Sequence, residues 1–452
     1  MTMKTKTDNW SDLLNPVFIK EMRQFFHNKL FLSVTVVLLV VQLLLVSCFN
    51  SVFREADSLA AKVFITVDTW VMYLCVFVTA AYGSMERFMA ERSSRELDFT
   101  NITLLSPWQI IAGKLAAALA VWLLTAALCL PFMTAACIFC KLPLKTVFAP
   151  SGFWIVAMLV MIQAAIFCGA VGKKWMYGIY LYFVFQFALP IGICFMPFRD
   201  TAPRIIWLMQ GGGILLFLFL FASSTAMITP ARANRMFPLR LLLVIITLPV
   251  LAAVPFLEKF GVKEQMLICC TAMITVSAFG LLAACDRDEP GPRVLAGVPE
   301  NPVLKFLHCL LTSNRCGGIL LALLIQGLFG VVMFLISFHQ EQSLGIVAFG
   351  VCGYALFYSE AGIFLNRKYP SISGWGGMLL AAVVLGLLPL LIAARSSVSM
   401  AEIVTSPFCL FSAGDMTIRN MTFWIAPIAS WFAGIIFIAE TFRNWKNYCR
   451  PR

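Results

Sequence analysis

Apolar residues in this chain neither alternate nor recur in stripes; they run. From residue 30 onward, long apolar stretches follow one another, broken only by short polar segments. A helix that crosses a bilayer needs about 20 mostly apolar residues, because each residue advances only about 1.5 Å along the axis. The pattern predicts twelve such spans, at 30–49, 63–84, 114–140, 151–171, 176–197, 205–229, 239–257, 265–285, 317–338, 345–366, 374–394 and 422–440.

Composition excludes a soluble domain. Hydrophobic residues make up 61% of the 452 and charged residues 12%, against about a quarter charged in soluble proteins. The fold class is therefore an all-α, polytopic helical membrane protein. The first apolar run is too long for the core of a cleavable signal, so we expect insertion through the spans themselves.

Charge then sets orientation. With the N-terminus inside and twelve spans, twenty-four of the 34 Lys and Arg fall on the cytoplasmic side and ten on the other. That bias is the positive-inside pattern, and even the short Lys173-Lys174 break falls on the expected side. Both termini and loop 85–113 are expected in the cytoplasm, and 141–150 and 395–421 outside. The net charge of +12 is scattered over short loops rather than gathered in a patch, which argues against nucleic acid. Cys137 and Cys140 have CxxC spacing inside an apolar helix, where they read as small packing residues. The three His, at 27, 308 and 339, are too far apart to suggest a metal site. No catalytic constellation and no cofactor motif is recognisable.

Ahead of the first span, residues 1–29 end in "NPVFIKEMRQFFHNK". Asn15 is placed to cap a helix and Pro16 to open it, since the first helical N–H has no partner to lose. Val17, Phe18, Met22, Phe25 and Phe26 then share one face, and Lys20, Arg23, Gln24 and His27 the other. This is the pattern of an amphipathic helix lying in the lipid interface. The rest divides into six-span halves at 30–230 and 231–452. Each half carries one long cytoplasmic loop after its second span, 85–113 and 286–316, a placement that suggests a 6+6 pseudo-repeat.

The first of these loops ends in "ERSSRELDFTNITLLSPWQIIAG", which runs on into Lys114 and Leu115 of the third span. Ser93 and Glu96 have capping-box spacing, which predicts a short helix from about Ser94 toward Leu104. Ser106-Pro107 is a second start signal that leads straight into the third span, with Trp108 at interface depth. A loop that only turned the chain could be far shorter.

The elbow-like "NPVFIKEMRQ", a span out and a span back, and then this loop together resemble the ABC-2 family of ABC transporter permeases. The residues that carry the resemblance are Glu91, Arg92, Leu97, Asp98, Leu104, Ser106, Pro107, Gly113 and Lys114, over roughly residues 15–230. Where many relatives have Gly-Thr, this chain has Arg95-Glu96. The resemblance implies a membrane-surface helix (Asn15, Pro16, Phe18, Met22, Phe25) and a coupling helix that docks on a separate ATP-binding subunit. The protein would then be the permease subunit of an exporter in a bacterial inner membrane, in contact with membrane lipids. The chain has no GxxxxGK[ST] phosphate loop, so any ATP hydrolysis belongs to that partner.

Two intramembrane carboxyls bear on an alternative. An ionisable group inside the bilayer usually faces a cavity or a partner. For Asp68, nearer the interface, a neutral or paired carboxyl that stabilises the bundle is favoured over a place in a polar pathway. For Glu360, that role and a proton or substrate pathway both stay open. The alternative is an ion-coupled secondary transporter of twelve spans with Glu360 as its proton site. A scaffold or lipid enzyme is a weaker reading, because no catalytic cluster is present. Substrate is open, as is whether one chain or a homodimer forms the pore.

Overall fold

A computed structural model describes residues 15–52, 58–94, 105–139, 151–172, 203–230, 234–253 and 292–314 continuously, together with 176–177, 180, 317–325, 327–328, 331, 361, 364–365 and 368–369. Every regular element among the described residues is helical. In chain order these are α1 (Pro16–His27), α2 (Lys29–Val52), α3 (Ser58–Val76), a π-helical turn (Phe77–Tyr82), α4 (Gly83–Ser93), α5 (Pro107–Phe139), α6 (Ser151–Val171), α7 (Pro203–Ile228), α8 (Phe237–Ala253), α9 (Pro292–Ala296) and α10 (Pro302–Leu311).

Four stretches among the described residues are long and apolar enough to cross a membrane: Lys29–Ser47, Val67–Ser93, Pro107–Ala135 and Gln210–Ile228. The expected spans 30–49, 63–84, 114–140, 151–171 and 205–229 coincide with helices, and α8 covers most of 239–257. Spans 176–197, 265–285, 345–366, 374–394 and 422–440 lie wholly or largely outside the described residues, as do loops 141–150 and 395–421, while of 317–338 the described residues are 317–325, 327–328 and 331, all helical.

The chain divides into two compact units, Met1–Thr229 and Pro230–Arg452. In the first, α1 packs on α5, α3 on α5, α4 on α6, and α6 on α7. Leu38, Ile65, Cys129 and Met133 form the meeting point of α2, α3 and α5. The outer side of α2 is as apolar as its inner side: Leu32, Val36, Val37, Val40, Leu43 and Leu44 are all at least half exposed. In water such a patch would drive association; in a bilayer it is the ordinary lipid-facing surface.

The second long helix is interrupted by the π-helical turn. Thr79, Ala80 and Ala81 are buried inside it, and the Phe77 ring stacks on Tyr180 with centroids 5.6 Å apart. Such single wide turns often mark functional positions. Here the turn separates the apolar α3 from the charged α4.

Candidate functional site

The site grows from two helix starts. Asn15 Oδ1 accepts the Val17 N–H at 2.9 Å, and Pro16 fills the first helical position, so α1 begins where the sequence predicts. It ends at Asn28, whose Oδ1 accepts the Leu30 N–H at 2.9 Å and so opens α2. At the start of α5, Gln109 Oε1 reaches back to accept the Ser106 N–H at 2.9 Å. This is the carboxamide half of a capping box. The Ser106 hydroxyl makes no hydrogen bond among the described residues.

These two starts are fastened together. Asn15 Nδ2 donates to the Gln109 carbonyl at 2.6 Å, so a single side chain caps α1 and holds it to α5. Gly113 allows the approach: a Cβ there would come within 2.8 Å of Val17 Cβ and 3.0 Å of Asn15 Nδ2. Helix α1 therefore lies against the first two turns of α5.

Between α1, α4 and α5 sits a buried cluster of charge. Glu21 is 2% exposed and Lys114 4%. Lys114 Nζ donates to Glu21 Oε1 and, at 2.7 Å, to Glu91 Oε2. Lys20 Nζ donates to the other oxygen, Glu91 Oε1, at 2.6 Å. Arg87 closes the group, with its Nε 3.9 Å from Glu21 Oε2 and its guanidinium 3.4 Å over the Phe25 ring. Lys114 also lies 4.7 Å from the centre of the Phe88 ring.

Three cations thus surround two carboxylates. Ionised groups out of water are tolerated only when paired and hydrogen-bonded, and here each carboxylate has at least one close cation. Such a cluster contributes little net stability against apolar residues of the same volume, but deleting one member strands the others. Its chemical capacity is therefore mechanical. It fixes one arrangement of α1, of the stem that enters loop 85–113 and of the stem that leaves it.

The sequence-predicted residues divide accordingly. Glu91 and Lys114 belong to the cluster, Gly113 adjoins Lys114 where α1 crosses α5, and Ser106 and Pro107 lie at the start of α5. Arg92 is exposed, with its aliphatic stem against Gly172, which takes a left-handed φ of 69° and has no room for a Cβ. Leu97, Asp98 and Leu104 lie outside the described residues.

Ser93 departs from its expected role as a helix start. The Ser93 hydroxyl donates to the Ala90 carbonyl at 2.8 Å, and the Ser94 N–H donates to the same carbonyl at 2.9 Å, so both belong to the end of α4. The physical reason is that α4 keeps burying Met85, Phe88 and Met89 past the apolar span, which prolongs the helix.

On α1, Val17 and Phe25 are buried, Phe18 and Met22 are half-buried, and Phe26 is 57% exposed. The face that packs on the protein is Val17, Glu21 and Phe25. Sequence reasoning passed over Glu21. The available signal was its spacing of four from both Val17 and Phe25, which sets a carboxylate in the middle of an apolar stripe.

Deeper in the bundle, Asp68 is fully buried and accepts a hydrogen bond from Gln42 Nε2 on α2, which lies 3.4 Å from Cys129 Sγ on α5. Gln163 Nε2 on α6 likewise donates to Ser224 Oγ on α7 at 2.9 Å. Polar links of this kind join helices where no water is at hand. Glu360 lies outside the described residues. No protein-family model, no curated protein and no solved structure matches the chain.

Proposed function

We propose that the chain is the transmembrane permease subunit of an ATP-driven exporter of the ABC-2 type, coupled through loop 85–113 to a separate ATP-binding subunit. The observation that carries this reading is the Glu21–Lys114–Glu91 bridge. It ties the membrane-surface helix to both stems of one cytoplasmic loop. A loop that only joined two spans would need no such brace. A loop that is pushed by a partner does need one, because the push must move α1, α4 and α5 as a unit.

In this reading the protein has twelve spans, lies in a bacterial inner membrane and keeps both termini in the cytoplasm. The charge bias of twenty-four against ten supports that orientation. Arg92, Leu97, Asp98 and Leu104 form the docking surface, whereas Glu91 acts as a positioning residue behind it. The chain supplies the pathway and the partner supplies hydrolysis.

The test is a set of charge changes confined to the loop: Arg92→Glu, Leu97→Asp, Asp98→Lys and Leu104→Asp together. Membrane insertion and expression should stay near those of the parent, because Arg92 is exposed at the end of α4 and the other three positions follow it in the sequence. Association with the ATP-binding subunit should be lost. Unchanged association would refute the assignment of the loop.

A further inference from the structure

Gln42 on α2 and Asp68 on α3 are both fully buried. One hydrogen bond joins them, from Gln42 Nε2 to Asp68 Oδ1. Each side chain has a second oxygen, Gln42 Oε1 and Asp68 Oδ2, that is buried and has no hydrogen-bond partner among the described residues. The pair lies beside Cys129, in the apolar meeting point of α2, α3 and α5 that also holds Leu38, Ile65 and Met133. The titratable groups that face it are the thiols of Cys75 on α3 and Cys129 on α5, neither of which can supply a positive charge. Among the described residues no Lys, Arg or His forms an ion pair with Asp68.

An ionised carboxyl in such surroundings needs a cation or several hydrogen-bond donors, and Asp68 has one amide N–H. The two idle oxygens point the same way. A carboxylate only accepts, and so does an amide oxygen, so an ionised Asp68 leaves both unsatisfied. Each buried acceptor left in that state is costly. A proton on Asp68 Oδ2 removes the charge and turns that oxygen into a donor. Its acceptor is then Gln42 Oε1, carried by the amide already bonded to the other carboxyl oxygen. A divalent metal ion would need about six or more oxygen ligands, and no group of three metal-binding side chains exists among the described residues.

We propose that Asp68 is a proton-binding site, held as the neutral acid, which donates from Oδ2 to Gln42 Oε1 while it accepts from Gln42 Nε2. Acid and amide then form a doubly hydrogen-bonded pair between α2 and α3. The proton is part of the packing. Losing it would strand a charge among apolar side chains and break one of the two bonds, so the proton stays for as long as the two helices stay together. Both side chains are sealed from solvent. Asp68 therefore ties α2 to α3 through its proton, as polar links do between helices in lipid, and takes no part in a polar pathway across the membrane.

The test is infrared spectroscopy of the purified full chain at neutral pH, grown with aspartate that carries heavy carbon at its side-chain carboxyl. Asp68 is the one Asp within a predicted span, and aspartates in water are ionised at this pH. The label should therefore shift a protonated-carboxyl band. That band should vanish in Asp68→Asn, and it should move to higher frequency in Gln42→Leu, where the acid loses its acceptor. Asp68→Asn keeps the shape of the side chain and can donate from Nδ2 to Gln42 Oε1, so it should elute as a single species like the parent. A label effect confined to ionised-carboxylate bands would overturn the proposal. So would an acid band that survives Asp68→Asn or stays unmoved in Gln42→Leu. The parent spectrum decides the protonation state even where a variant fails to fold. No ATP-binding subunit enters the measurement, so the result stands apart from the coupling reading.

Discussion

Lys20 and Lys114 bind the same carboxylate, and their surroundings separate what each is worth. The Lys20 side chain is 43% exposed, whereas that of Lys114 is 5% exposed and also holds Glu21. Breaking a buried pair from one side costs about 3–5 kcal/mol, because the remaining charge is stranded. An exposed pair contributes roughly 0–1 kcal/mol. We therefore expect Lys114→Met to lower stability by about 3 kcal/mol or more and Lys20→Met by less than about 1, by denaturant titration in detergent micelles. Equal losses would mean that burial does not govern this cluster. Glycine offers a second contrast. Replacing a helical Gly by Ala gains about 1 kcal/mol of helix propensity where space allows. Nothing lies within 4 Å of a Cβ at Gly211, while one at Gly113 would strike Val17. Gly211→Ala should raise the thermal midpoint and Gly113→Ala should lower it.

At the scale of elements, the π-helical turn at Phe77–Tyr82 is the feature most open to a direct trial. A π turn is an α-helix with one residue too many locally. Deleting one residue from 78–81 should restore α geometry and leave the faces of α4, and so the ion cluster, in place. We expect such a deletion to fold with an unchanged or higher thermal midpoint and, under the function proposed above, to weaken the response of the membrane part to an ATP-binding partner. Loss of folding would show instead that the wide turn is needed for packing. Elements of this size were legible in the sequence where the signal was local. Asn15-Pro16 begins a helix because its chemistry acts within one turn, and Pro107 begins another, although Gln109 rather than the Ser106 hydroxyl makes the capping bond there. The length of α4 was not legible, since Ser93 carries a start signal that the burial of Met85, Phe88 and Met89 overrides. Nor was the role of Glu21, because its partners Lys114 and Arg87 are far away in the chain.

For the molecule as a whole, helix content and the apolar character of the bundle follow from hydropathy, because burying backbone polar groups in lipid leaves a helix as the economical solution for such runs. Function does not follow in this way; it depends on a loop whose tip, 95–104, meets another protein in our account. Orientation is tested separately. A cysteine at Ser94, on a background free of native cysteines, should resist an impermeant reagent in intact cells, while one at Thr146 should react. Strong labelling at Ser94 would reverse the topology. The central claim is energy coupling, and its most direct measurement is ATP hydrolysis in liposomes holding the purified chain with and without its ATP-binding subunit. The account predicts no hydrolysis by the chain alone and hydrolysis by the complex. It also predicts that the complex fails to form when Arg92, Leu97, Asp98 and Leu104 are changed as above. A complex that assembles and hydrolyses equally well with that loop altered, or proton-driven transport by the chain alone, would contradict it.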